Sequence, residues 1–204
     1  MNDLEIRQNF HRKRLRRQHA QEDTLVIDEL GLNHGKCRAD IAVVNSHFIG
    51  YEIKSNKDSL RRLKDQVESY NSVFDKISVI VGDRYINSIQ SHIPAWWGVI
   101  VSLKGPKGAV NFGTIRKAQT NKKVDPISIA RLLWRNEAEE ILRQKNLPPR
   151  ILRQPRAILY DYLVDEFNIC ELRKVVRDYF KKRKNWRCPA SFLQYDDLCQ
   201  PAAL

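Results

Sequence analysis

Long apolar runs are missing from this chain. Its 204 residues hold no stretch of the about 20 consecutive apolar residues that a membrane-spanning helix needs. The opening segment MNDLEIRQNFHRKRLRRQ is charged and amphipathic and has no hydrophobic signal core behind it. A soluble, cytoplasmic protein with no membrane partner is the expectation. Cysteine is sparse: Cys37, Cys170, Cys188 and Cys199 include no CxxC pair, which argues against a zinc ribbon or a disulfide framework. Histidine is scarce too, and the five, at 11, 19, 34, 47 and 92, show no ligand spacing, so a zinc site or histidine-based chemistry is not expected. Acidic charge is in the minority. Against 36 Lys and Arg stand 24 Asp and Glu, a net of +12, and a surface this basic suits polyanions, nucleic acid first among them. Charge alone does not separate DNA from RNA or from an anionic membrane.

Hydropathy patterning divides the chain near residue 120. Residues 3–18 and 22–30 read as two opening helices, the second ending at Gly31. The runs ADIAVVN and FIGYEIKS, separated by Asn45, Ser46 and His47, read as a β-hairpin. From Asp58 a helix follows, with Leu60, Leu63, Val67 and Phe74 as its apolar stripe. KISVIVG at 76–82 reads as a strand covered on both faces, then come a short helix from Arg84 to His92 and two strands joined at Gly105 to Gly108. Asp125 and Pro126 mark an N-cap and first helical position, after which everything reads as helix: 126–145, a break at Pro148 and Pro149, 156–167 and 171–184. The spacing thus predicts an α/β domain over 1–120 and a basic helical region over 121–204.

Chemistry concentrates on the hairpin. Residues two apart on a strand share a face, so Glu52 and Lys54 point together and Ile53 points away. Asp40, at the start of the partner strand, can bring a second carboxylate beside Glu52. Two hard oxygen ligands suit Mg²⁺ or Mn²⁺, and a cation so held supplies what phosphodiester cleavage needs. Lys54 could orient or deprotonate a water, or neutralise charge; the sequence leaves these roles open. GLNHGKC at 31–37 is one residue short of a phosphate loop, lacks its final hydroxyl residue and reads as a turn.

The array Asp40, eleven residues, Glu52-Ile53-Lys54 resembles the PD-(D/E)XK nuclease superfamily over about residues 20–103, with Ala39 in place of the proline. Gln66 and Tyr70 are similar to the QxxxY motif of its RecB-like branch, one helical turn apart. The wider pattern also resembles a small family of stand-alone bacterial and phage nuclease-like proteins with a basic helical tail. The resemblance implies a restriction-endonuclease-like core, a mixed central sheet flanked by helices, with a C-terminal helical extension. It also implies a Mg²⁺-dependent deoxyribonuclease in which Asp40, Glu52 and the main-chain carbonyl of Ile53 bind the metal. Lys54, Gln66 and Tyr70 would complete the site, with Glu29 beside it from the first helical segment. Tyr70, close to the apolar stripe, reads equally well as core, and Glu29 as an exposed acid. The iron–sulfur cluster of some such nucleases is not expected, since Cys170, Cys188 and Cys199 stand 18 and 11 residues apart.

Basic residues are expected to hold the polynucleotide: Arg12, Lys13, Arg14, Arg16 and Arg17 near the N-terminus, Arg61 and Arg62 at the central helix, and a tail stripe of Arg173, Arg177, Lys181 and Lys184 opposite Leu172, Val176 and Phe180. The last two helices resemble a helix-turn-helix in length, a pattern that helical bundles also produce. A DNA-cleaving enzyme is the first reading; a binding module of the same fold and an RNA-directed nuclease are the alternatives. RNA as partner and a homodimer as assembly stay open.

Overall fold

The β-branched runs pair into one sheet. The computed structural model describes residues 1–183. Two helices, α1 (Asp3–Arg14) and α2 (Arg16–His19), precede three strands, β1 (Leu25–Leu32), β2 (Cys37–Val44) and β3 (Phe48–Lys54). Helix α3 (Leu63–Val73) leads to β4 (Lys76–Gly82), β5 (Gly98–Lys104) and β6 (Val110–Arg116). Five helices follow: α4 (Pro126–Ala130), α5 (Arg135–Gln144), α6 (Pro149–Leu152), α7 (Arg156–Glu166) and α8 (Ile169–Lys182). The strands lie in chain order, with β3–β4 and β4–β5 parallel and the other pairs antiparallel. The protein is α/β, with a mixed central sheet flanked by helices and further helices at its C-terminal side. No helix of the described residues is long and apolar enough to cross a membrane.

The sheet is covered on both faces. Ile6 and Phe10 of α1 pack on Ile41, Val43, Ile53, Ile80 and Ile100. The opposite face carries Phe48, Ile77, Val79 and Val99, covered by Tyr70, Val73 and Phe74 of α3 and, continuously, by Leu133, Leu172 and Val176 of the C-terminal helices. The segment between sheet and tail is tied down: Asn121 Nδ2 donates to the carbonyls of Asn71 at 2.7 Å and Phe74 at 3.0 Å. Strand alternation therefore sends Phe48, Glu52 and Lys54 toward α3 and Tyr51 and Ile53 toward α1.

Four segments differ from their sequence reading. The stretch 22–30 is a turn followed by strand from Leu25 instead of helix, because Val26 serves the α1 core while Ile27 and Leu30 serve the other, an alternation that only a two-sided strand allows. The stretch 126–145 is two helices, since Trp134 is extended and its N–H is capped by Glu137 Oε2 at 2.7 Å. Asp58 does not begin α3: its carboxylate closes a turn on the Ser55 N–H and hydroxyl, and the helix starts five residues later. The expected helix Arg84 to His92 is two 3-10 turns, Asp83–Tyr85 and Ile89–Ser91.

The crossing of β3 under α3 depends on Gly50, where a Cβ would stand 2.7 Å from Phe74 Cδ2, in a ring that is wholly buried. Gly50→Ala is expected to lower stability by about 1–3 kcal/mol through overpacking, read from urea unfolding monitored by circular dichroism.

Candidate functional site

The site forms where two strands part. The β2–β3 ladder ends at Ile41↔Tyr51, and the next pair, Asp40 and Glu52, is not bridged by main-chain bonds. Asp40 bridges the gap with its side chain: Oδ2 accepts the Ile53 N–H at 2.6 Å. A strand residue's N–H and C=O point to the same side, so the Ile53 carbonyl faces the same gap.

Glu52 is 1% exposed and surrounded by donors. Its Oε1 accepts from Lys54 Nζ at 2.5 Å and Gln66 Nε2 at 2.7 Å, and its Oε2 accepts from the Tyr70 hydroxyl. Lys54 also donates to Gln66 Oε1 at 3.0 Å, and Tyr70 accepts the Asp40 N–H at 3.2 Å. The Tyr70 ring is fully buried, with Phe74 and Trp97 at centroid distances of 5.3 and 5.6 Å, so this residue belongs to the core and to the site at once. Burial, then the carboxylates of Glu52 and Asp40, push its phenol well above the usual range, which keeps it a donor.

Glu29 reaches the site from β1 and not from a helix. Its φ of 56° lies in the left-handed region, and the β1–β2 pairing is interrupted there, between Asp28↔Ile41 and Leu30↔Ala39. Its carboxylate meets Arg7 at 2.8 Å. Arg7, which the sequence reading missed, links three acids: it contacts Asp3 at 3.3 Å and Asp40 Oδ1 at 3.2 Å, and donates to the Asp40 carbonyl. Burial acts to lower the Arg7 pKa, but Asp3, Asp40, Asp28 and Glu29 outweigh it and the net shift is upward. Asp40 is pushed up to about 8, first by burial and then by Glu52, with the Ile53 N–H and Arg7 opposing.

The donor set fits a hard cation. Among the described residues no three His, Cys, Asp or Glu side chains converge. The oxygens facing the gap are the two carboxylates and the Ile53 carbonyl, the donor type that Mg²⁺ and Mn²⁺ take. The repulsion that raises Asp40 is one that a cation between the carboxylates relieves.

These groups line a cleft of about 710 Å³ that also carries the cations Lys36, Arg38 and Arg62 and the acids Asp3, Glu29, Asp58 and Asp65. Arg62 was expected; Lys36 and Arg38 were not, although Arg38 lies two residues before Asp40 on the same strand. The other expected basic residues lie elsewhere. Lys13 donates to the Val110 carbonyl at 2.6 Å and Arg14 to Thr114 Oγ1 at 2.8 Å, fastening α1 to β6. Arg12, Arg16 and Arg17 are exposed but do not line the cleft. Arg61 opens onto a neighbouring cleft. The tail stripe is corrected: it turns toward the protein body, where Arg173 pairs with buried Asp75, Arg177 lies 3.6 Å from Asp178, and Lys181 meets Asp23 at 2.6 Å. Acids from distant segments capture Arg173 and Lys181, and Arg177 lies beside its own neighbour in the chain, so the stripe is not a row of unpaired outward cations. Lys184, Cys188 and Cys199 lie outside the described residues.

A family model for Bacteriophage P4 protein cII matches residues 4–194. The chain belongs to this cII family. A curated relative, Protein cII of Enterobacteria phage P4, is 26% identical over 122 residues, which are 60% of this chain and 46% of the relative. The chain thus matches less than half of the length of that relative. No solved structure matches. Both comparisons lead to a phage protein cII and not to a nuclease, which overturns the expectation of a metal-dependent nuclease that hydrolyses the phosphodiester bonds of DNA.

Two substitutions probe the geometry. Tyr70→Phe removes the donor to Glu52 and the acceptor for the Asp40 N–H, and is expected to cost about 1–3 kcal/mol in urea unfolding. Arg173→Gln leaves the Asp75 carboxylate buried without its cation, for about 3 kcal/mol, whereas Lys181→Gln, on a partner that is 86% exposed, should leave the urea midpoint nearly unchanged.

Proposed function

We propose that this cII-family protein binds DNA, with an architecture of the PD-(D/E)XK type in which the carboxylate cleft is a phosphate dock and not a cutting site. The observation that carries the proposal is that exposed Lys36, Arg38 and Arg62, interleaved with Asp3, Glu29 and Asp65, line the same cleft as the carboxylate pair Asp40 and Glu52. The cations draw a phosphate backbone inward, and the two carboxylates would repel it. A divalent cation held by Asp40, Glu52 and the Ile53 carbonyl would supply the positive charge that joins carboxylates and phosphate.

The chain's own residues do the rest. Lys54 and Gln66 fix the Glu52 carboxylate by its Oε1, and Tyr70 fixes it by Oε2. Arg7 holds Asp40 from the side of α1. Both carboxylates are thus oriented before any ligand arrives, which lowers the cost of ordering on binding. Contacts to phosphate carry no base information, so the proposal is for binding with little sequence preference and strong salt dependence. The net charge of +12 supports a polyanionic partner. The proposal sets the protein in the cytoplasm and requires no second copy to complete the cleft.

Fluorescence anisotropy with labelled duplex DNA, single-stranded DNA and RNA tests it, using Ca²⁺ against EDTA. Duplex DNA should bind more tightly with Ca²⁺, and Asp40→Asn should lose that gain. The double variant Arg38→Gln/Arg62→Gln should weaken binding and flatten the salt slope by about 0.7–0.9 per lost contact. Absence of binding to all three polymers, or binding that ignores the double variant, would overturn the proposal; preference for RNA would move the partner to RNA.

A further inference from the structure

A second cleft of about 550 Å³ adjoins the first, and Asp58 lines both. Its basic lining comes from separate parts of the chain: Arg61 and Lys64 around the start of α3 and Arg84 just after β4, with the imidazole of His92 before β5. Parallel strands β3 and β4 both end nearby, which brings the segments that follow them together. The floor is Leu60 and Tyr85.

The basic groups in this cleft outnumber its acid. Asp58 is the one acid in the lining, and its Oδ2 is taken by the Ser55 N–H at 2.8 Å and the Ser55 hydroxyl at 2.6 Å. Arg61 and Lys64 make no ion pair among the described residues. His92 is held by Nδ1, which faces the Ser88 carbonyl at 2.9 Å and the Ser91 hydroxyl at 3.1 Å, leaving Nε2 for a ligand. Arg84 is held as well: it donates to the Asn56 carbonyl at 3.2 Å, and its guanidinium lies 5.4 Å from the Tyr85 ring centre. The Tyr85 hydroxyl donates to the Asp58 carbonyl and anchors the wall. Like charges gathered around one concave surface raise one another's energy, and a multiply charged anion relieves this.

We infer that this second cleft is a phosphate subsite, in which Arg61, Lys64, Arg84 and His92 receive a phosphate group of the strand docked in the carboxylate cleft. For the strand, the inference rests on the DNA-binding reading; for the phosphate, it stands on the cleft alone. The phosphate comes from a strand terminus or from the backbone.

The test follows the His92 imidazole by NMR in the full chain, assigned with His92→Gln. Inorganic phosphate is titrated at constant ionic strength against chloride. The resonance should shift saturably, and Arg61→Gln/Lys64→Gln should abolish saturation. Anisotropy then compares 5′-phosphorylated, 3′-phosphorylated and unphosphorylated oligonucleotides. A preference for one phosphorylated end, lost in the double variant, assigns a terminal phosphate; equal binding of all three, about tenfold weaker in the variant, assigns a backbone phosphate. A His92 resonance that does not respond saturably to phosphate overturns the subsite, whatever the DNA result. A saturable response in a protein that binds no oligonucleotide leaves the subsite standing and removes the DNA-binding reading.

Discussion

Glu52 is a carboxylate with almost no solvent, and the surrounding structure is arranged to satisfy it. Burying an ionised carboxylate costs several kcal/mol unless charge and hydrogen bonds compensate. Lys54 provides the charge from the same strand face, while Gln66 and Tyr70 provide donors from one turn of α3. This fixes the helix against the strand in both rotation and height. A slip of one residue in β3 would exchange Glu52 for Ile53 beneath α3 and strand the carboxylate in the apolar core under α1. The Tyr70 hydroxyl extends the constraint to β2 by accepting the Asp40 N–H. Register, helix position and strand separation thus answer to one buried charge.

The separation of β2 from β3 is the second element. Where main-chain pairing stops, a side chain takes over, and Asp40 acts as a substitute acceptor for Ile53. The arrangement sets one carbonyl and two carboxylates along the cleft without leaving the Ile53 N–H unsatisfied. Arg7 keeps Asp40 and Glu29 together despite their like charge. The positive φ of Glu29 occurs at the same place, so local backbone strain, an interrupted ladder and a charged cluster coincide, as they do at ligand sites in general.

What could be read from the sequence followed from short-range periodicity. Glu52 and Lys54 are two apart on a strand, Gln66 and Tyr70 four apart on a helix, and the hairpin between Asp40 and Glu52 has a short turn; each relation is local, and all five residues meet in one network. Arg7 was invisible because its partner Asp40 is 33 residues away and nothing beside it in α1 announces a contact. β1 was misread because its apolar residues serve two cores, so no single face stands out. The tail cations were grouped correctly on one side of α8, but the acid that captures Arg173 is 98 residues distant, and periodicity along one helix carries no information about what lies opposite. The assignment of nuclease activity went beyond periodicity altogether, and the cII family match corrects it.

Asp75 has a role wider than its pairing with α8. Its carboxylate accepts the Phe48 N–H at 2.8 Å, its own N–H meets the Phe48 carbonyl at 2.7 Å, and its carbonyl accepts the Asn121 N–H at 2.7 Å. With Arg173 on the remaining oxygen, one residue joins the first residue of β3, the segment after the sheet and the last described helix. The helical tail is therefore no detachable cargo that recombination could trade between relatives at the apparent seam near residue 120. An exchange there would succeed only between partners that carry the same clasp, and divergence on one side of it would have to be matched on the other.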